Sequence, residues 1–135
     1  MPIKIAVIGA GSIGFTRRLM RDILSVPELA DSEFAFHDIN KHNLEMIAQL
    51  AKRDIEANGL PATLSTSTQR RRALDGADYV LNTTRIGGLD AFALDVDIPL
   101  KYGVDQCVGD TLCAGGIMYG QRNIPQVLAR SLIHI

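Results

Sequence analysis

Ile3-Lys4-Ile5-Ala6-Val7-Ile8 runs straight into Gly9-Ala10-Gly11-Ser12-Ile13-Gly14, and that junction decides the fold. Ile5 to Ile8 is a nearly unbroken apolar run, the pattern of a strand buried on both faces. The spacing beyond it predicts a helix from Ser12 to Ser25, with Leu19, Met20, Ile23 and Leu24 on its inner side and Pro27 at its end. A G-x-G-x-x-G turn between strand and helix has a definite physical use. Gly9 permits a tight turn, Gly11 lets a ligand come close to the backbone, and Gly14 is expected to let the helix pack near the strand. The unpaired N–H groups of the first helical turn, at the positive end of the helix dipole, then face an anion such as a pyrophosphate. The alternative is a glycine turn that holds nothing.

Downstream, Phe34 to His37 reads as a second strand and Asn40 as the cap of a second helix. Leu44, Ile47, Ala48, Ala51 and Ile55 follow at helical spacing, and Gly59 and Pro61 close that helix. Ala62 to Ser65 is expected as a third strand, Arg70 to Asp75 as a short helix and Tyr79 to Thr83 as a fourth strand. Arg85 to Leu89 reads as a glycine-bearing loop. Ala91 to Tyr102 reads as helix interrupted at Pro99, Gly103 to Gly116 as irregular, and Ile117 to about Ala129 as helix around Pro125. Strands alternating with helices define an α/β domain, a Rossmann-type doubly wound parallel sheet.

Asp38 stands at the end of the second strand, about two dozen positions after Gly14. In this fold an acid there accepts hydrogen bonds from the adenosine ribose, and its charge repels a 2′-phosphate, so NAD is favoured over NADP. The alternative is that Asp38 caps the following helix, a role for which Asn40 competes. Strand ends line the cofactor cleft, which brings Asn82, Thr83 and Thr84 towards it. Gly87 and Gly88 would let the backbone pass close by, or form a surface turn. His37 is expected to be a packed or surface histidine rather than a metal ligand.

Composition narrows the classes of partner. The chain has 135 residues, 47% hydrophobic and 21% charged, with a net charge of −1. That supplies a core and excludes both a disordered chain and a basic field for nucleic acid. Arg70, Arg71 and Arg72 read as a solvated face. No long apolar run suggests a membrane span. Cys107 and Cys113 form no C-x-x-C pair and carry no assigned role. Two thiols behind no signal peptide point to the cytoplasm.

The series Gly9-Ala10-Gly11-Ser12, Arg85-Ile86-Gly87-Gly88, Ile98-Pro99-Leu100-Lys101-Tyr102-Gly103-Val104 and Gly109-Asp110-Thr111-Leu112-Cys113-Ala114-Gly115-Gly116-Ile117 resembles the NAD-dependent family-4 glycoside hydrolases, especially their α-galactosidase and α-glucosidase branch. Asp105 to Thr111 is also similar to the α-galacturonidase branch. The likeness spans residues 3 to about 128. It implies hydrolysis of an α-galactoside or related α-glycoside by NAD-dependent oxidation at the sugar C3, elimination and addition of water, aided by a divalent metal, usually Mn2+. This lies outside the ordinary two-carboxylate scheme.

By that resemblance Gly9, Gly11, Ser12, Ile13 and Gly14 form the pyrophosphate loop and Asp38 the ribose contact. Arg85 to Gly88 lie near the nicotinamide ribose, and Asp110 is a substrate-side contact or else a structural loop aspartate. Cys113-Ala114 departs from the family's Gly-Pro. The family chain is over three times as long, so residues 1–128 are expected to be the NAD-binding domain and 129–135 an atypical tail. The sheet would then be incomplete relative to the family, with Tyr79 to Thr83 at an open edge. Metal ligands and catalytic acid and base are expected outside this chain, and a homo-oligomer is expected at full length. Two readings compete: a stand-alone NAD-binding module, and the cofactor domain of an NAD-dependent dehydrogenase.

Overall fold

A computed structural model describes residues 2–106 and 112–131. It divides into two compact units, Met1–Thr84 and Arg85–Ile135. The first unit is a four-stranded parallel sheet. Its strands are β1 (Lys4–Ile8), β2 (Glu33–His37), β3 (Thr63–Ser67) and β4 (Tyr79–Asn82), in the order β3-β2-β1-β4. β1 sits inside, flanked by β2 and β4 as in the doubly wound order, and β4 lies at an edge, as expected of a sheet that holds only the first four strands of that order. In register, Ile8 pairs with His37 and Asn82, and His37 with Ser67. The carboxyl ends of all four strands therefore lie in one row, and Gly9, Asp38 and Thr83 each begin the loop that leaves it.

Alternation along the strands builds the core. Ile5, Val7, Phe34 and Phe36 share one cluster with Met20 and Leu24 of α1 (Ile13–Leu24) and with Leu44, Ile47, Ala51 and Ile55 of α2 (Lys41–Ala57). Fully buried aromatics of this size each contribute on the order of 2–3 kcal/mol. Phe34 and Phe36 meet edge to face at 6.2 Å. A second tie joins the two helices: Arg17 donates from Nε and Nη2 to the two Asp54 carboxylate oxygens at 2.6 and 2.7 Å. That hydrogen bonding holds the Asp54 carboxyl below its ordinary range, against a smaller opposing effect of burial, and raises Arg17.

Several local expectations shift. Pro27 opens a short 3-10 turn, Pro27–Leu29, after α1 ends. β3 runs Thr63–Ser67 rather than Ala62–Ser65, because parallel pairing with β2 carries it to Ser67. Its Thr-Leu-Ser-Thr-Ser sequence has almost no apolar alternation to mark the ends. α3 (Arg70–Leu74) turns Ala73 and Leu74 inward and leaves Arg71 and Arg72 exposed.

The second unit contains α4 (Gly88–Lys101) and α5 (Ala114–Ser131). α4 starts inside the expected loop, because Gly87 caps it in the left-handed region at φ +84°. Pro99 does not interrupt it. Proline cannot donate to the carbonyl four residues back, which here belongs to Asp95, and the Gln106 side-chain amide takes that carbonyl at 2.7 Å. Gln106 Oε1 in turn accepts from the Gly115 N–H at 3.1 Å, so α5 begins at Ala114, before the expected Ile117. A Cβ on Gly115 would fall 2.4 Å from the Asp95 carbonyl oxygen.

Candidate functional site

The site grows from the row of strand ends. The His37 carbonyl accepts from both Gly9 N–H and Ala10 N–H at 2.9 Å, which folds the glycine turn over the end of β2. Gly9 sits at φ +88°, and a Cβ there would come within 2.8 Å of the Thr84 methyl and 3.0 Å of the Thr83 backbone. Thr83 braces the same turn: its hydroxyl is 3.2 Å from the Ile8 carbonyl and 3.0 Å from that of Gly9.

Asp38 comes to the mouth of the turn. Its Oδ2 accepts from Gly11 N–H and its Oδ1 from Asn40 N–H, each at 2.8 Å. Gly11 leaves room first of all for this carboxylate, since a Cβ would stand 2.7 Å from Oδ2. Asn40, not Asp38, caps α2, accepting from Asn43 N–H at 3.1 Å. Each Asp38 oxygen retains accepting capacity for a hydroxyl donor.

Ser12 is the N-cap of α1, but its side chain makes no capping bond, and no acid stands in the first turn. Ile13 and Gly14 are exposed there. Thr16, in the same helix, is buried with its hydroxyl unpaired among the described residues. The first turn of α1 therefore has neither a side-chain cap from Ser12 nor an acidic side chain of its own. One expectation is corrected: Gly14 is not needed for close packing of helix on strand, because a Cβ there meets nothing within 4 Å.

Gly9, Gly11, Ser12, Ile13, Gly14, Asp38 and Thr83 all belong to the first unit, where the turn, Asp38 and Thr83 converge. Arg85 and Gly87 belong to the second. There the Arg85 guanidinium lies 4.7 Å from the Phe92 ring centroid and 5.1 Å from that of Tyr119, a cation–π arrangement. A Cβ on Gly87 would strike the Ala91 Cβ at 2.5 Å, so this glycine serves the α4 cap. Asp110 and Cys107 lie outside the described residues. Cys113 is a free thiol. Among the described residues, no three His, Cys, Asp or Glu side chains gather as a metal site, and no helix is long and apolar enough to cross a membrane.

Sequence reasoning missed the polar centre of the second unit. Asp95, 1% exposed, accepts from both terminal nitrogens of Arg122, one at 2.7 Å. That bonding raises the Arg122 guanidinium above its ordinary range. Asn123 is buried beside it in sequence, accepting from Ile86 N–H and donating to the Tyr119 carbonyl. The available signal was Pro99, which frees the carbonyl of the residue four places earlier.

Residues 4–131 match the family described as Family 4 glycosyl hydrolase, and the chain belongs to that family. It is 63% identical over 125 residues to an alpha-galactosidase of Rhizobium meliloti, covering 93% of this chain and 26% of that protein. It is 37% identical over 131 residues to an alpha-glucosidase of Erwinia rhapontici, covering 95% and 28%. A solved 6-phospho-beta glucosidase from Thermotoga maritima, with NAD and glucose-6-phosphate, superposes with a TM-score of 0.85 at 30% identity, over 98% of this chain and 31% of that one. Another structure of that enzyme holds manganese, NAD+ and glucose-6-phosphate. The chain therefore spans between a quarter and a third of the length of these relatives.

Proposed function

We propose that this chain is the dinucleotide-holding part of a family-4 α-glycosidase, most similar in kind to an α-galactosidase, and that it binds NAD(H) on its first unit. The observation that carries the reading is the 2.8 Å bond from Gly11 N–H to Asp38 Oδ2. It sets a carboxylate beside an uncapped helix N-terminus, so a ribose and a diphosphate meet complementary groups side by side.

In this reading the open first turn of α1, at Ser12, Ile13 and Gly14, receives the diphosphate. Asp38 accepts from the adenosine ribose hydroxyls and disfavours a 2′-phosphate by like charge. Thr83 keeps the Gly9 turn closed on its strand. Arg85 and Gly87 are assigned to the nicotinamide side and Asp110 to the sugar side. When bound, NAD+ supplies the hydride acceptor for oxidation of the sugar at C3, before elimination and addition of water. Among the described residues no side-chain cluster fits a manganese site, and in this reading the ion and the catalytic acid and base belong to the part of the relatives' length that this chain does not span. By itself the chain is expected to hydrolyse no α-galactoside. A cytoplasmic setting is part of the proposal, supported by the free Cys113 thiol.

Titration of the chain with NAD+ and NADP+ tests the reading. NAD+ should bind more tightly, Asp38→Ala should weaken NAD+ roughly tenfold, as loss of a charged hydrogen-bonding group does, and Gly11→Val should nearly abolish binding by driving Asp38 from the turn. Identical curves for both variants and the parent chain would remove the assignment. Release of nitrophenol from a nitrophenyl α-galactoside by the pure chain, with NAD+ and Mn2+, would refute its expected inactivity.

A further inference from the structure

His37 is buried, with only 7% of its surface exposed, and the reading above gives its side chain no task. Its Nδ1 lies 3.0 Å from the carbonyl oxygen of Ser67. A carbonyl only accepts, so Nδ1 carries the proton and donates. Ser67 ends β3 and holds the following bend, its hydroxyl accepting from Gln69 N–H at 2.9 Å. The backbone of His37 meanwhile carries the glycine turn, through the two bonds from Gly9 and Ala10 to its carbonyl, and its neighbour is Asp38. One residue thus ties the edge strand to both parts of the nucleotide mouth.

We infer that His37 is a positioning residue for the dinucleotide: its Nδ1–H bond to Ser67 fixes the end of β2, and through it the placement of Asp38 and the Gly9–Ala10 turn. This rests on the NAD-binding reading. General loss of packing would weaken NAD+ and NADP+ alike. Displacement of Asp38 instead weakens NAD+ more than NADP+, because only the carboxylate distinguishes them.

The test is the ratio of Kd for NADP+ to Kd for NAD+ in the parent chain, His37→Leu and His37→Asn. The asparagine amide nitrogen stands as many bonds from Cα as Nδ1 and supplies a donor in the same place. Leucine should lower the ratio roughly fivefold, the worth of one hydrogen bond, and asparagine should restore it to within about twofold. Amide exchange at Gly9 and Ala10, read by NMR without ligand, should quicken in the leucine variant and recover in the asparagine variant. A leucine variant with the parental ratio and exchange overturns the positioning role alone. So does an asparagine variant that folds and behaves as leucine does. A parent chain that binds neither dinucleotide overturns the NAD reading and this inference with it.

Discussion

The two units are held together by different physics. In Met1–Thr84 the interior is mostly hydrocarbon: Phe34, Phe36, Ile8, Met20, Ile47 and Leu74 are fully buried, with the polar Thr16, Ser32 and His37 buried among them. In Arg85–Ile135 the buried side chains among the described residues include Asp95 and Asn123, while Leu89, Leu94, Ile117, Ile124 and Leu128 are exposed. The first unit therefore owns a core that area burial can stabilise. The second relies on an ion pair and side-chain bonds to backbone, which are directional and near neutral in net worth until one partner is removed.

The sharpest way to break this contrast is paired truncation. Phe36→Ala should cost the first unit about 3–5 kcal/mol in urea unfolding, whereas Leu94→Ala in α4 should change stability by no more than about 0.5 kcal/mol. Equal losses would show that the second unit has a core after all. Asp95→Ala comes next. It leaves the Arg122 guanidinium without its partner, so amide exchange should quicken across α4 and α5 while α2 keeps its protection. Uniform exchange would deny the ion pair its role.

Smaller effects refine the turn. Gly9→Ala forces an L residue to φ +88° against Thr83 and Thr84, at about 1–3 kcal/mol in thermal unfolding. Gly14→Ala should instead stabilise by about 0.5 kcal/mol, because the added methyl meets no clash and alanine loses less backbone entropy than glycine on entering a helix; destabilisation would reinstate a packing role. The least effect concerns pH. Asp54 has a folded value below its unfolded one. Its contribution is complete above the unfolded value of about 4 and fades as pH falls through the folded value. Chemical unfolding between pH 5 and 2 should show a shallower decline for Asp54→Asn than for the parent chain.

Much of the first unit was legible because its signals are local. The α2 positions read as inward, Leu44, Ile47, Ala48, Ala51 and Ile55, are the ones buried, since a 3.6-residue period needs no knowledge of the partner. The glycine turn and Asp38 were legible for a related reason: strand, turn and acid occur at spacings that the βαβ unit dictates. β3 was blurred because an exposed edge strand carries little alternation. The second unit was opaque because its order comes from partners distant in sequence, Asp95 with Arg122 and Gln106 with Gly115, and charged and amide side chains usually lie on surfaces, so nothing local marks one that is buried.

By itself, the amino-acid order determined the α/β alternation, a tight turn at Gly9, the Asn40 cap and an acid at the end of β2, because steric limits and hydrophobic period act within a few residues. Only the tertiary structure decided that Gly11 makes room for Asp38, that Gly14 packs against nothing, that His37 grips Ser67, and that a buried carboxylate joins α4 to α5. Those outcomes depend on which groups meet when strands are laid side by side, and desolvation then charges a penalty to every polar atom left without a partner.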